Sequence, residues 1–148
     1  MADNSIRERI LLAVAAAVRP AAEAFGAGLH RSPAVAISRE QCPALVVFPE
    51  IDAITERAND RVTRELTVRL VALTRAVPPA VPETAADGLL TAAHAALMTD
   101  GTLGGLALGL REVDAEWEIE DADAVAVALP ARYRITYRTL ANDLSTLG

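Results

Sequence analysis

Acidic and apolar residues alternate without exception from residue 112 to residue 120. The acidic members are Glu112, Asp114, Glu116, Glu118 and Glu120, and the apolar members are Val113, Ala115, Trp117 and Ile119. A period of two is typical of a strand with one face in water and one face buried. The pattern therefore predicts that Trp117 is buried in the sheet's inner face.

A second alternating segment follows, in which arginines take the place of the acids. Arg132, Arg134 and Arg138 interleave with Tyr133, Ile135 and Tyr137. Together the two segments predict an antiparallel hairpin that turns near residues 121–123. Its polar side sets carboxylates opposite arginines, and each such pair contributes about 0.2 to 1 kcal/mol.

Two other segments have the spacing of amphipathic helices. Ser5 and Glu8 form a capping-box pattern, and apolar residues follow at four-residue steps, which predicts a helix over 5–18 that resumes past Pro20 as far as residue 25. Pro82 and Glu83 suit the first turn of a second helix, which extends to residue 98.

The remaining segments predict strands and loops. Residues 29–31 predict a turn or a short lead-in, and residues 34–38 predict a brief edge strand. Residues 44–48 predict a strand with both faces at least partly covered, and residues 64–75 predict a long strand whose second face is partly covered. Residues 50–61 are dense in charge and predict a solvated loop. Ile51 and Ile54 leave a second interpretation open, which is an arm that contacts another subunit.

The resulting order is α-β-β-β-α-β-β. It favours an α+β fold in which two helices pack on one face of a mainly antiparallel sheet of four or five strands. A chain of 148 residues is long enough for one domain with its own core. We expect a single domain over residues 1–148, with flexible ends at about 1–4 and 142–148.

Composition narrows the classes of function. The net charge is −6 and all 14 basic residues are arginine, which argues against a protein that grips nucleic acid. Cys42 is the only cysteine, so no internal disulfide is possible. The N-terminus lacks the features of a signal peptide, and the apolar stretch 10–18 is too short to span a bilayer, so we expect a cytosolic chain without a membrane partner.

The sequence offers little catalytic chemistry. His30 and His94 have no serine or cysteine partner that the sequence can place beside them, and Gly101, Gly104 and Gly105 match no phosphate-loop motif. Acids that alternate along a strand spread out in a line, so they do not converge on a metal ion. We therefore expect no catalytic, cofactor or metal site.

Six features, taken in order, resemble a known family. They are Ile-Arg-x-x-Ile-Leu from Ile6, Cys-Pro-Ala-Leu-Val-Val-Phe from Cys42, a charged segment before a long strand, Ala-Ala-Asp-Gly-Leu-Leu from Ala85, Asp-Gly-Thr-Leu-Gly-Gly-Leu from Asp100, and Tyr-Arg-Ile-Thr-Tyr-Arg-Thr from Tyr133. This series resembles the small tail terminator, or minor tail, proteins of long-tailed bacteriophages and prophages, the group that includes the lambda tail terminator. The proline-rich link at 77–82 and Pro130 depart from that pattern.

The resemblance implies a non-enzymatic virion protein that forms a ring, expected to be a hexamer. The ring caps the tail tube, stops its polymerisation and joins the head connector, while DNA only passes through its lumen. Its partners would be copies of itself, the tail tube protein and the connector protein, first in the host cytoplasm and then in the virion tail.

Eight charged residues are candidates for the subunit interface or the lumen. They are Glu50, Asp52, Glu56, Arg57, Glu116, Glu118, Arg134 and Arg138. Two alternatives remain open on the sequence: a small ligand- or protein-binding module unrelated to phage tails, and an enzyme of unrecognised type.

Overall fold

The computed structural model describes residues 3–76, 79–119 and 126–148. Two helices and seven strands occur in these ranges. They are α1 (Ile6–Ala24), β1 (Gly28–Arg31), β2 (Ala44–Ala58), β3 (Arg61–Arg75), α2 (Pro82–Leu97), β4 (Gly109–Ala115), β5 (Glu118–Ile119), β6 (Ala126–Leu140) and β7 (Asp143–Leu147), with a short 3₁₀ turn at Arg39–Gln41.

The described strands form one mixed sheet. Its main path runs β1-β2-β3-β6-β4, and β5 and β7 also pair with β6. The β1–β2 pair is parallel, and the other pairs are antiparallel. The predicted fold class, a mainly antiparallel sheet of four or five strands in the order α-β-β-β-α-β-β, is therefore wrong.

Two short segments account for much of this difference. Residues 28–31 pair in parallel with the start of β2, where the sequence predicts a turn or a short lead-in over residues 29–31, whereas residues 34–38 form no strand. Residues 143–147, expected to be part of a flexible end, form β7 against β6. Each segment is too short to show a hydrophobic period, and its pairing depends on a distant partner.

Both helices bury the apolar faces that the sequence predicts. Ser5 Oγ accepts a hydrogen bond from the Glu8 amide at 3.0 Å, but the Glu8 carboxylate binds Arg31 instead of reaching back to Ser5. The capping box is therefore only half formed. α1 continues through Pro20, whose side chain is exposed, so the carbonyl that this proline leaves unpaired at Ala16 lies on the solvent side.

One hydrophobic core lies between both helices and one face of the sheet, which we call the helix face. Ile10 and Val14 of α1, Leu89 of α2, Leu70 of β3 and Ile135 of β6 are at most 1% exposed. We call the opposite face the outer face. Pro33, Ala36 and Ile37 line a hollow there with Val46 and Val71, which are 1% and 7% exposed, so the outer face of β3 is partly covered as the sequence predicts.

Candidate subunit-contact surfaces

The segment predicted as a solvated loop is a long hairpin, and we call residues 50–64 the arm. β2 extends without interruption to Ala58, and Ala58 pairs with Arg61 across the two-residue turn Asn59-Asp60. Asn59 has a φ of 58°, a conformation that asparagine tolerates and that tight hairpin turns require. The loop prediction is wrong, because turn chemistry at residues 59–60 closes a hairpin within the charged segment.

The arm contains two register shifts. Pairing passes from Pro49–Val68 to Asp52–Leu66, so β2 carries one extra residue there, and a second shift lies between Ile54 and Glu56. An extra residue reverses which face each later side chain occupies. The first bulge therefore turns Asp52 towards the helix face.

Asp52 is bound within its own subunit. Arg7 Nε donates to Asp52 Oδ2 at 2.6 Å, and the Tyr137 hydroxyl donates to the same oxygen. The Asp52 side chain is 9% exposed. Burial, together with the hydrogen bond to Asp52, raises the pKa of Tyr137 to about 12. We therefore leave Asp52 out of the contact surface that we propose below.

Other arm residues are open to solvent. Glu50, Glu56 and Arg57 are exposed, and Ile51 and Ile54 are 62% and 42% exposed. Arg57 makes no hydrogen bond or ion pair with any described residue. The arm thus presents both apolar and charged groups that its own subunit does not use.

The acidic row is divided between the two faces of the sheet, and Glu120 and the predicted hairpin turn at residues 121–123 lie outside the described residues. β4 and β6 pair at Glu112–Tyr133 and next at Asp114–Arg132, with a register shift between them. Glu112 lies on the helix face with its Oε2 3.8 Å from His94 Nδ1, whereas Asp114 pairs with Arg132 on the outer face. The prediction of one acidic face is wrong, because a bulge reverses the alternation after Glu112.

The alternation predicts that acidic residues pair with arginines across neighbouring strands, and Asp114 and Arg132 form such an ion pair. Arg132 Nε donates to Asp114 Oδ1 at 2.9 Å, and Arg132 Nη2 donates to Oδ2. The hydrogen bond from Arg132 lowers the pKa of Asp114, and the reverse interaction raises the pKa of Arg132. Glu50, Glu116 and Glu118 surround this pair in a hollow of about 220 Å³ on the outer face.

Arg134 and Arg138, the other arginines expected opposite the acidic row, have different neighbours. Glu118 pairs in register with Ala128, and Arg134 lies between Thr67 and Arg111. Arg138 Nε donates to Thr63 Oγ1 at 3.2 Å beside the arm's turn. Glu116 and Glu118 therefore occupy one end of the outer face, and Arg134 and Arg138 extend towards the other end.

Trp117 lies on the helix side but is 46% exposed, so its predicted burial is wrong. It borders a hollow of about 320 Å³ between α2 and the end of β4, which we call the α2 pocket. Further residues of the pocket are Asp87, Leu90, Thr91, His94, Glu112, Leu129 and Tyr133. His94 Nδ1 lies 2.8 Å from the Tyr133 hydroxyl, and burial, followed by the charge of Glu112, raises the pKa of Tyr133.

Only part of the signal for this pocket is present in the amino-acid sequence. Asp87, Thr91 and His94 recur at three- and four-residue steps along α2, which places them on one helical face. Their proximity to Glu112 and Trp117 depends on the bulge in β4, which local alternation does not encode.

The described residues contain neither a metal-binding cluster nor a membrane-spanning helix. Residues 3–76, 79–119 and 126–148 contain no group of three or more His, Cys, Asp or Glu side chains placed to hold a metal ion. None of the helices found in these ranges has the length and apolar character needed to cross a membrane.

Comparison with known proteins gives a likeness of fold. No protein-family model and no curated protein matches the chain. Among solved structures, the fold is similar to a chain of the structure titled "Virion of native gene transfer agent (GTA) particle", with a TM-score of 0.56 and 14% sequence identity. The match covers 83% of this chain and 90% of that chain, so nearly the whole domain shares the fold.

Proposed function

We propose that this protein is a structural component of a phage-like virion. The observation that carries the proposal is the fold shared with a chain of a gene transfer agent particle over 83% of this chain. The motif series that resembles tail terminators supports it from the sequence. In the finer form of the proposal, the protein assembles as a ring, expected to be a hexamer, that caps the tail tube, ends tail polymerisation and forms the head–tail joining surface.

Ring closure needs one surface of each subunit to fit a different surface of the next. Opposite edges of the described sheet supply two different surfaces. β1 covers β2 only as far as Val47, so the arm's edge pairs with no other described strand, and β4 forms the other end of the main path. Unpaired strand edges and exposed apolar side chains favour association with another chain.

The outer face fits the proposed passage of DNA. Glu50, Glu116 and Glu118 are exposed at one end of that face, and arginines interleave with acids along the rest of it. A surface of mixed charge on a chain of net charge −6 does not collect the cations that hold phosphates. Glu116 and Glu118 are the residues that we propose for the lumen.

The proposed partners are other copies of the chain, the tail tube protein and the head connector protein. The role requires no cofactor and no reaction. Assembly would take place in the host cytoplasm before the protein enters the virion tail.

The test uses tail tubes assembled in the presence and absence of the protein. We expect the protein to bind one end of each tube and to stop its growth, so that electron microscopy shows capped tubes with a narrow length distribution. Tubes that grow equally long with the protein present, and carry no density at their ends, would refute tail termination. A monomer that binds a small molecule and no tube would support the alternative of a binding module.

A further inference from the structure

The α2 pocket combines apolar walls with two carboxylates, one of which, Glu112, lies 3.8 Å from His94 Nδ1. Leu90 and Leu129 provide apolar surface, and Trp117 exposes nearly half of its side chain at the border. Asp87 and Glu112 contribute two carboxylates, and none of the described lining residues is an arginine. Asp87 makes no hydrogen bond or ion pair with a described residue.

This combination has the chemistry of a guanidinium site. Carboxylates accept the paired N–H groups of arginine, and an indole ring attracts a cation placed over its face. The methylene stem of an arginine can lie along apolar walls while its charged end reaches the carboxylates. A lysine would satisfy the charge but not the paired geometry.

The arm carries an arginine that its own subunit leaves unused. Arg57 is exposed near the end of the arm and has no partner among the described residues. It pairs in register with Val62, which pairs with Thr139 of β6, whereas the pocket residue Glu112 pairs with Tyr133, six positions earlier on β6. At about 3.3 Å per residue the separation along the strands is roughly 20 Å, and β3 and β6 lie between the two strands, so Arg57 does not reach the pocket of its own subunit.

We infer that Arg57 of one copy inserts into the α2 pocket of a second copy. Its guanidinium binds Asp87 and Glu112 and lies over the ring of Trp117. The arm and the pocket are different surfaces at distant parts of one subunit, as the contact in a ring requires. The inference rests on the proposed function, because it supplies the subunit contact of that ring.

The pocket can be tested without assembly, because Trp117 is the only tryptophan and its fluorescence reports directly on the site. The probe is N-acetyl-arginine methylamide, and the corresponding citrulline compound is the uncharged control. We expect a saturable fluorescence change with the arginine probe alone. The Asp87→Asn/Glu112→Gln variant should lose it, and Glu118→Gln, on the outer face, should keep it. Equal responses to both compounds, or no response in the parent chain, would overturn the site.

The contact itself can be tested with two complementary variants. Arg57→Ala has no functional arm, and Asp87→Asn/Glu112→Gln has no functional pocket. Each alone should associate at least about tenfold more weakly than the parent chain, because truncating one side of an enclosed charge pair leaves the other unpaired. When the two variants are mixed, the intact arm of the pocket variant can bind the intact pocket of the Arg57→Ala variant, and no further contact can form. Sedimentation should therefore show a species of twice the 15.6 kDa subunit mass and nothing larger.

Arg19→Ala is the matched control, because Arg19 is an exposed arginine on α1. It should assemble like the parent chain. If Arg57→Ala also assembles normally, the inference fails and the proposed function stands. If the parent chain forms no assembly, either alone or on tail tubes, the proposed function fails and the contact fails with it.

Discussion

Arg7 Nε lies 2.6 Å from Asp52 Oδ2, so an ion pair ties the first turn of α1 to the base of the arm. The Tyr137 hydroxyl donates to the same carboxylate oxygen, which adds β6 to the junction. Asp52 reaches this position only because the bulge after Pro49 turns it towards the helix face. The junction therefore fixes the direction in which the arm leaves the domain.

Replacing Asp52 should weaken the fold. Asp52→Ala leaves the Tyr137 hydroxyl, in a side chain that is 1% exposed, without its acceptor. A buried hydroxyl that loses its partner costs about 1 to 3 kcal/mol, and urea denaturation should show that loss. Asp60→Ala is the control, because the Asp60 side chain is 77% exposed and its loss should change stability by less than about 0.5 kcal/mol. Equal losses in the two variants would contradict the junction.

Stability should fall above about pH 10, the ordinary pKa of tyrosine. Burial, and then the bond to Asp52, raises the pKa of Tyr137 to about 12, and burial also raises the pKa of Tyr133. In that range the unfolded chain releases protons that the folded chain retains, so unfolding becomes easier as the pH rises towards 12. Urea midpoints from pH 9 to 11.5 measure this fall, and Tyr137→Phe should make it shallower.

A control for this pH dependence comes from absorbance. The chain has only two tyrosines, so the phenolate signal near 295 nm reports on Tyr133 and Tyr137 alone. In the folded protein that signal should rise well above pH 10. Ionisation of both residues at their ordinary pKa, without unfolding, would contradict the burial of the hydroxyls.

The sequence predicted best the elements whose hydrophobic pattern extends over many consecutive residues. α2 begins at Pro82, and β3 runs to Arg75 as the alternation predicts, because a buried face imposes its period over many residues. β1 has four residues and pairs with a strand more than ten positions later, so no period could reveal it. Residues 50–58 are exposed except for Asp52, so no buried face imposes a regular alternation on that part of the arm.

The candidate site depends on bulges, and binary patterns do not encode bulges. Glu112 and Asp114 read as one face, yet the extra residue between their pairs places them on opposite faces. The bulge in β2 likewise turns Asp52 towards the helix face, where Arg7 and Tyr137 bind it. The sequence could predict that acidic residues of the outer face pair with arginines, but it could not predict which residue pairs with which.

Trp117→Ala should cost less stability than a buried aromatic residue would. Complete burial predicts a loss of about 3 to 5 kcal/mol, and with 46% of the side chain exposed we expect roughly half of that. Leu89→Ala, at a position that is 0% exposed, should cost about 2 to 5 kcal/mol. Circular dichroism in urea measures both. A Trp117→Ala loss at or above 3 kcal/mol would mean that the indole is buried.

The turn before β4 allows a clean test of backbone strain. Gly105 has a φ of +90°, whereas Gly101 has no positive φ, and an added Cβ meets nothing within 4 Å at either position. Gly105→Ala should therefore cost about 1 to 2 kcal/mol from conformation alone. Gly101→Ala should be close to neutral. If both substitutions have the same effect in urea denaturation, the positive φ at Gly105 is not required.

The exposed isoleucines of the arm should matter more for assembly than for folding. Ile51 and Ile54 are 62% and 42% exposed, so replacing both with serine should cost less than the about 2 to 5 kcal/mol expected for truncating one fully buried aliphatic side chain. If the arm packs against a neighbouring subunit, that variant loses apolar contact area and should form fewer rings, as measured by light scattering after size exclusion. Leu12→Ser removes a comparably exposed residue, 47%, from α1 and should leave assembly unchanged. Loss of assembly in the Leu12 variant but not in the arm variant would place the subunit contact on α1.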